Sequence, residues 1–147
     1  MKKTAFLYFL PIVLTIACSD KKSINLDDLN GYWEINKVRL PDGSSKEYNV
    51  NSNIDFFKIE IDSTGYRKKL QPKLDGSFHT SNDAEPFKLK IINQKPVLYY
   101  KNSLAEWSEN IIKLNKDVLV IENQSNLKYF YKRFEAINIT IDEQKEQ

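Results

Sequence analysis

Cysteine and histidine are almost absent from this chain of 147 residues, which contains one of each, Cys18 and His79. Because the single thiol lies near the N-terminus, the rest of the chain can form no disulfide, no zinc–thiolate site and no cysteine nucleophile. His79 lies in a polar segment where we expect a solvated imidazole rather than a general base. No Gly-x-Ser-x-Gly elbow, His-containing metal spacing or regular calcium loop is present. We therefore expect no enzyme, no metal site and no cofactor. A paired-carboxylate hydrolase is the open alternative, because the sequence does not show how far apart two carboxylates lie in the fold.

Long apolar runs are also lacking, because the longest, over residues 5–16, is too short to cross a bilayer as a helix. Lys2 and Lys3 precede this run, and the small residue Ala17 follows it. A positive region, a short apolar stretch and a small residue in this order predict an export signal over residues 1–17. The alternative is an uncleaved N-terminal anchor in which Cys18 is a buried thiol.

The run Leu14-Thr15-Ile16-Ala17-Cys18 resembles the lipobox of bacterial lipoproteins. The family usually has Leu three positions before the cysteine, whereas here Thr15 takes that position, a form similar to that of Bacteroidetes-type lipoproteins. The resemblance implies cleavage after residue 17 and lipidation of Cys18 with acyl chains such as palmitate, which anchor the protein firmly. Ser19 after the cysteine implies the outer membrane, on its periplasmic or cell-surface face.

Removal of the signal leaves 130 residues, enough for one compact domain. It also removes Lys2 and Lys3, so that 20 basic and 20 acidic residues remain and the mature chain has no net formal charge. This balance argues against nucleic acid as a partner. We predict a tether over residues 18–28, a domain over 29–135, a polar tail over 136–147, and a monomer.

Within the domain, apolar residues alternate with polar ones, as Phe57, Ile59 and Ile61 do. A period of two is typical of half-buried strands, and no long helical period competes with it. Turn signals rich in Asp, Asn and Gly separate the strands. The pattern predicts an all-β antiparallel meander of about eight strands that closes into a barrel. The predicted strands cover residues 31–38, 57–61, 66–70, 87–91, 97–101, 111–114, 118–122 and 128–134, and the turns include residues 42–43, 62–65, 75–76, 93–96 and 115–117.

The first strand opens with Leu29-Asn30-Gly31-Tyr32-Trp33-Glu34-Ile35, which resembles the Gly-x-Trp signature of lipocalins and of small bacterial lipocalin-like domains. In that family the glycine lets the chain bend into a barrel, and the tryptophan plugs its closed end. The Asp-x-x-Gly turn over residues 62–65 and the basic residue Arg133 match further family features. The resemblance implies that Gly31, Trp33 and Arg133 close a lipocalin-like barrel, with Arg133 across the indole of Trp33. The Thr-Asp-Tyr motif is absent, and the alternative is an ordinary β-sandwich.

The resemblance also implies a cavity. We predict a small, partly apolar ligand at one open mouth, since tyrosine presents both an apolar face and a hydroxyl to a mixed-polarity ligand or a glycan. The predicted lining residues are some of Phe57, Ile59, Tyr99, Tyr100 and Tyr129. Adjacent residues such as Tyr99 and Tyr100 point to opposite faces of a strand. The alternative is a non-enzymatic envelope interaction protein, in which large side chains fill the barrel and its outer surface binds a protein or glycan.

Asp62-Ser63-Thr64 resembles the Asp-Ser/Thr-x acceptor for O-glycosylation in Bacteroidetes, which would place a sugar on Ser63. A plain hairpin turn explains the same three residues.

Overall fold

The computed structural model describes residues 24–81 and 83–135. Ten strands and one short 3₁₀ helix make up the secondary structure of these residues. The predicted signal peptide, Cys18 and the C-terminal tail lie outside them. The 3₁₀ helix covers Leu26–Leu29, and the strands are β1 (Gly31–Arg39), β2 (Ser45–Glu47), β3 (Ile54–Ile59), β4 (Thr64–Pro72), β5 (Phe78–Thr80), β6 (Glu85–Ile92), β7 (Lys95–Lys101), β8 (Glu106–Leu114), β9 (Val118–Asn123) and β10 (Lys128–Arg133).

Eight of the ten strands in this part of the chain form a closed antiparallel barrel. Its order is β1, β3, β4, β6, β7, β8, β9 and β10, and β10 pairs back onto β1. The short strands β2 and β5 lie outside the ring as hairpin partners of β1 and β4. Closure pairs the first barrel strand with the last and so removes the free edges that an open sheet would expose. The all-β, lipocalin-like barrel predicted from the sequence is confirmed.

Every predicted strand overlaps a strand of the barrel, but several details of the prediction are wrong. Ile61 was expected to end a strand, yet it lies fully exposed in the turn after β3. Pro96, expected in a turn, is the second residue of β7 and pairs with Ile91. Residues 18–28 are not all tether, because Ile24 and Leu26 pack against the core. The sequence also did not predict β2 and β5, since three-residue strands with mostly exposed side chains are too short to show a period.

The barrel has two different ends. The closed end, as defined here, contains the 3₁₀ helix, the start of β1, and the turns that follow β3, β6 and β8. Leu29 and Trp33 are completely buried there. The open end is the opposite one, at which the loops β1–β2, β4–β5, β7–β8 and β9–β10 lie.

Large apolar side chains fill the interior between these ends. Phe57 is completely buried and its ring centroid lies 6.5 Å from that of Phe87 and 6.4 Å from that of Tyr131. Gly65 makes room for this packing, because a β-carbon at that position would lie 2.5 Å from the Phe87 ring and 2.3 Å from the carbonyl oxygen of Lys58. The sequence therefore needs glycine here to let β4 approach its neighbours.

Candidate functional site

The closed end is held by a contact between the first and last strands. Trp33 pairs with Arg133 across β1 and β10, and its Nε1 donates a hydrogen bond to the carbonyl oxygen of Leu29 at 2.8 Å. The guanidinium carbon of Arg133 lies 3.7 Å from the Trp33 ring centroid. This distance is well within the range of a cation–π contact.

Arg133 also donates hydrogen bonds to three backbone carbonyls. Its acceptors are the oxygens of Asp28 at 2.8 Å, Asn30 at 2.9 Å and Lys116 at 2.8 Å. Gly31 lies next to this guanidinium and has a φ of +118°, and a β-carbon on it would lie 2.9 Å from Nη1 of Arg133. The planar guanidinium thus joins the 3₁₀ helix, β1 and the β8–β9 turn, and the group has a structural role at this end.

The inner wall towards the open end carries charged residues. We call Asp55, Arg67, Lys69, Glu85 and Glu109 the inner charged cluster. Arg67 donates to Glu85 from Nε at 2.8 Å and lies 3.1 Å from Glu109 through Nη1. Asp55 accepts from Lys69 at 2.5 Å and from the Tyr131 hydroxyl at 3.0 Å.

Several of these charges are removed from water. Asp55 is 2% exposed and Glu109 is 7% exposed. Burial by itself would lower the pKa of Arg67, but its neighbours Tyr100 and Glu109 raise that pKa well above its ordinary value. Such charges are tolerated in an interior when they are paired and hydrogen-bonded, as they are here. A polar region therefore lies inside an otherwise apolar barrel.

Aromatic rings surround this cluster. The guanidinium carbon of Arg67 lies 4.9 Å from the Tyr100 ring centroid, and Trp107 stacks on Tyr100 at 4.9 Å with an interplanar angle of 5°. The Tyr100 hydroxyl is buried and has no hydrogen-bond partner in the described part of the chain. Trp107 and Tyr129 pack against the core and remain partly exposed. These two rings offer apolar surface next to buried charge.

The five residues predicted to line a ligand cavity do not converge on one mouth. Phe57 and Tyr100 are buried in the core, at 0% and 1% exposure, and neither has surface left for a ligand. Ile59 lies towards the closed end, where its amide donates to the Asn30 side chain at 2.7 Å. Tyr99 faces outward beneath the ammonium of Lys90, 4.8 Å from its ring centroid. Of the five, Tyr129 lies partly exposed on the inner wall near the open end.

The prediction from the sequence left Trp107 out of the lining residues and missed the inner charged cluster. The signal for Trp107 was its place in a period-two strand, since it pairs with Tyr100 and shares its face. The signal for the cluster was polar residues at inward positions, such as Asp55 two residues before Phe57. Using either signal requires the strand register, which the sequence does not state.

Other predicted features have simpler roles. His79 is exposed on β5. Ser63 lies in the β3–β4 turn with a φ of +66°, and Asp62 accepts hydrogen bonds from the Thr64 amide at 3.0 Å and hydroxyl at 2.6 Å. The structure thus contains the hairpin turn that was the alternative explanation for these three residues. Residues 24–81 and 83–135 contain no group of His, Cys, Asp and Glu side chains placed to hold a metal ion. Among them there is also no helix with the length and apolarity to span a membrane.

A groove lies on the outside of the barrel. The ring of Tyr32 stacks on Phe78 at 4.8 Å, and Phe78 contacts Phe134 edge-on at 6.2 Å. Next to these rings is a groove of about 340 Å³, which Val50 and Leu74 also line. Here the β4–β5 hairpin folds against the outer face and gives the domain a second, smaller apolar cluster.

An eight-stranded antiparallel barrel with a tryptophan plug at one end defines a lipocalin-type architecture. Residues 29–121 match the family model of the lipocalin-like domain, and the chain belongs to this family. A solved lipocalin-like protein from Bacteroides uniformis is 15% identical, with a TM-score of 0.47, over 73% of this chain and 99% of that one. An uncharacterized protein from Bacteroides eggerthii is 11% identical, with a TM-score of 0.46, over 72% of this chain and 99% of that one. Comparison with curated proteins finds no match.

Proposed function

We propose that this protein is a lipid-anchored envelope protein that binds a small, partly apolar ligand at the open end of its barrel. Lipocalin-like folds are typically binding folds rather than catalytic ones. The observation that carries the proposal is the partly exposed pair Trp107 and Tyr129 beside the inner charged cluster. Ligand sites in proteins commonly combine such apolar walls with a few convergent polar groups.

The cluster suggests which groups would contact the ligand. The side chains of Lys69 and Glu85 are 61% and 43% exposed, so they are able to turn towards a ligand. Arg67 and Glu109 are largely buried and hold the floor of the site in place. A fitting ligand therefore has a flat apolar part for Trp107 and a polar group with both hydrogen-bond donors and acceptors.

The anchor is part of the same proposal. Acylation of Cys18 and outer-membrane sorting through Ser19 rest on the lipobox resemblance of the sequence. Cys18→Ser should abolish incorporation of a fatty-acid probe and release the protein from the membrane fraction, because only the thiol accepts the diacylglyceryl group. A serine variant that still takes up the probe would refute the lipoprotein assignment.

The ligand is tested by native mass spectrometry of the full protein purified from its own envelope. We expect a retained small molecule in the wild type and its loss in Trp107→Ala, which removes the partly exposed inner ring. Tyr99→Ala is the matched control, because Tyr99 is an aromatic residue of the paired strand that faces outward. Equal retention in all three proteins would contradict a site inside the barrel.

A second candidate is favoured by the filled interior. Phe57, Tyr100 and Tyr131 occupy the space in which a wider barrel would hold its ligand. On this candidate the protein is an envelope interaction protein, monomeric and without a cofactor, whose outer surface meets a protein or glycan. It predicts no retained molecule and an unchanged melting temperature with fatty acids, isoprenoids, haem-like molecules and glycans, whereas a bound ligand raises that temperature.

A further inference from the structure

We infer that the closed end of the barrel faces the membrane and inserts exposed isoleucines into its surface. The inference rests on the lipid anchor of the proposed function. Four large apolar side chains are exposed towards this end, in and beside its turns: Ile61 at 106%, Ile91 at 58%, Ile92 at 42% and Ile112 at 44%. We call them the closed-end isoleucines. Such side chains reach the boundary between headgroups and acyl chains, about 5–10 Å deep, when an anchored protein lies against a bilayer.

Exposure alone does not choose this end. The described residues also expose four large apolar side chains in or next to the loops of the open end, and a bilayer meets one end of an upright barrel. These are Leu40 at 39%, Val50 at 89%, Leu74 at 80% and Leu104 at 92%. A separate observation is needed to decide between the ends.

The point where the chain leaves the domain decides between them. Ile24 packs against the core beside the 3₁₀ helix, at the closed end. Five residues, 19–23, lie between Ile24 and the acylated Cys18. The six Cα–Cα steps from Cys18 to Ile24 span at most about 20 Å, the length of a fully extended chain.

The open end is farther from the anchor than this. A strand of nine residues, such as β1, is about 30 Å long, and the usual barrel tilt reduces its height to about 23 Å. The loops of the open end add to this height. The tether is therefore too short to bring the open end to the bilayer, and it holds the closed end against the headgroups.

The contact is apolar rather than electrostatic, because basic and acidic residues are mixed at this end. Lys95 begins β7 directly after one of its turns, Lys116 lies in another, and Glu60, Asp62 and Asp117 lie among them. The partner is a bilayer of ordinary bacterial phospholipids, with phosphatidylethanolamine in excess over phosphatidylglycerol. In this orientation the candidate ligand site points away from the membrane.

The test uses the full lipoprotein in vesicles of these two lipids. Acylation consumes the thiol of Cys18, so an introduced cysteine is the one thiol available for labelling. Ile61→Cys and Ile92→Cys place a polarity-sensitive fluorophore at the closed end, and Leu74→Cys and Leu104→Cys are the matched exposed controls at the open end. We expect a blue shift and quenching by lipids spin-labelled near the headgroup at the first pair, and neither effect at the second.

Quenching at Leu74 and Leu104 equal to that at the isoleucines would overturn the inference, and so would unquenched labels at Ile61 and Ile92 in acylated protein. Fatty-acid labelling of the same samples separates this failure from a failure of the anchor, since an unacylated Cys18 refutes the proposed lipidation directly. A sugar on Ser63 in the intact mass would also overturn the inference, because it would hold the turn containing Ile61 away from the lipid.

Discussion

The contact between Trp33 and Arg133 makes a quantitative prediction about the closed end. Arg133 stacks on the indole at 3.7 Å and donates to three backbone carbonyls, while Trp33 is completely buried and donates to Leu29. Truncating either side chain removes the stack. Only Trp33→Ala also leaves a cavity in the core, and only Arg133→Ala also frees three carbonyls.

The magnitudes follow from these contacts. Trp33→Ala is expected to cost about 3–5 kcal/mol for the cavity and about 1 kcal/mol for the lost hydrogen bond. Arg133→Ala is expected to cost about 2–4 kcal/mol, of which the lost cation–π contact contributes about 1–2 kcal/mol. The remainder comes from the three lost hydrogen bonds, and it is modest because water hydrates part of the carbonyl oxygens that lose their donor. The tryptophan variant should therefore be the less stable of the two. Their coupling should be about 1–2 kcal/mol, the cation–π term alone.

The assay is equilibrium urea unfolding of the two single variants and the double variant. If Trp33→Ala does not fold, Trp33→Leu keeps most of the apolar volume and still removes the ring face. Lys132→Ala supplies a matched control, because Lys132 is next to Arg133 in β10 but is exposed and paired with Glu34. Its effect should add to that of the tryptophan change.

Additivity of the Trp33 and Arg133 changes within about 0.3 kcal/mol would refute the reasoning. It would mean that the guanidinium gains nothing from the ring face and stabilises the closed end through its hydrogen bonds alone. Coupling equal to that of the Lys132 control would have the same meaning.

Three further predictions concern the interior. Gly65→Ala should destabilise the domain by about 1–3 kcal/mol, as overpacking does, because the new methyl group meets the Phe87 ring and a carbonyl oxygen; a melting temperature equal to that of the wild type would contradict the packing. Tyr100→Phe should be neutral or stabilising, since its hydroxyl has no partner among the described residues, whereas Tyr131→Phe should cost about 1–3 kcal/mol by leaving Asp55 with one fewer donor; the reverse order in urea unfolding would refute the assignment of the two hydroxyls. Burial raises the pKa of both tyrosines well above 10, so the stability that their neutral forms contribute is fully present below about pH 10 and falls as the pH rises further. The free energy of unfolding, measured from about pH 8 to about pH 11, should therefore fall less steeply in Tyr100→Phe than in the wild type. Equal slopes would show that Tyr100 does not contribute to this pH dependence.

The eight barrel strands of this protein could be predicted from the sequence because the signals for them are local. Alternation such as that of Phe87 and Leu89 against Lys88 and Lys90 reports which face of a strand is buried, and turn residues mark where each strand ends. The Gly31-x-Trp33 motif marked the first strand of the barrel and its closed end for the same reason, since the bend and the plug depend on two residues in one short segment.

The candidate site could not be predicted in this way, because its members come from strands far apart in the chain. Arg67 and Glu109 are 42 residues apart, and Asp55 and Tyr131 are 76 residues apart. They meet because each strand pair has one register and because β10 closes onto β1. A shift of one residue in any pair would turn these side chains outward.

The same distinction explains why the five residues predicted to line a ligand cavity do not converge on one mouth. Alternation placed Tyr99 and Tyr100 on opposite faces, but it did not say how much of the interior the other strands fill. Phe57, Phe87 and Tyr131 converge there from three strands and leave Tyr100 buried, while Trp107 and Tyr129 keep exposed surface. Local pattern determines which way a side chain points, and only closure of the barrel decides what it meets, because packing depends on all the strands at once.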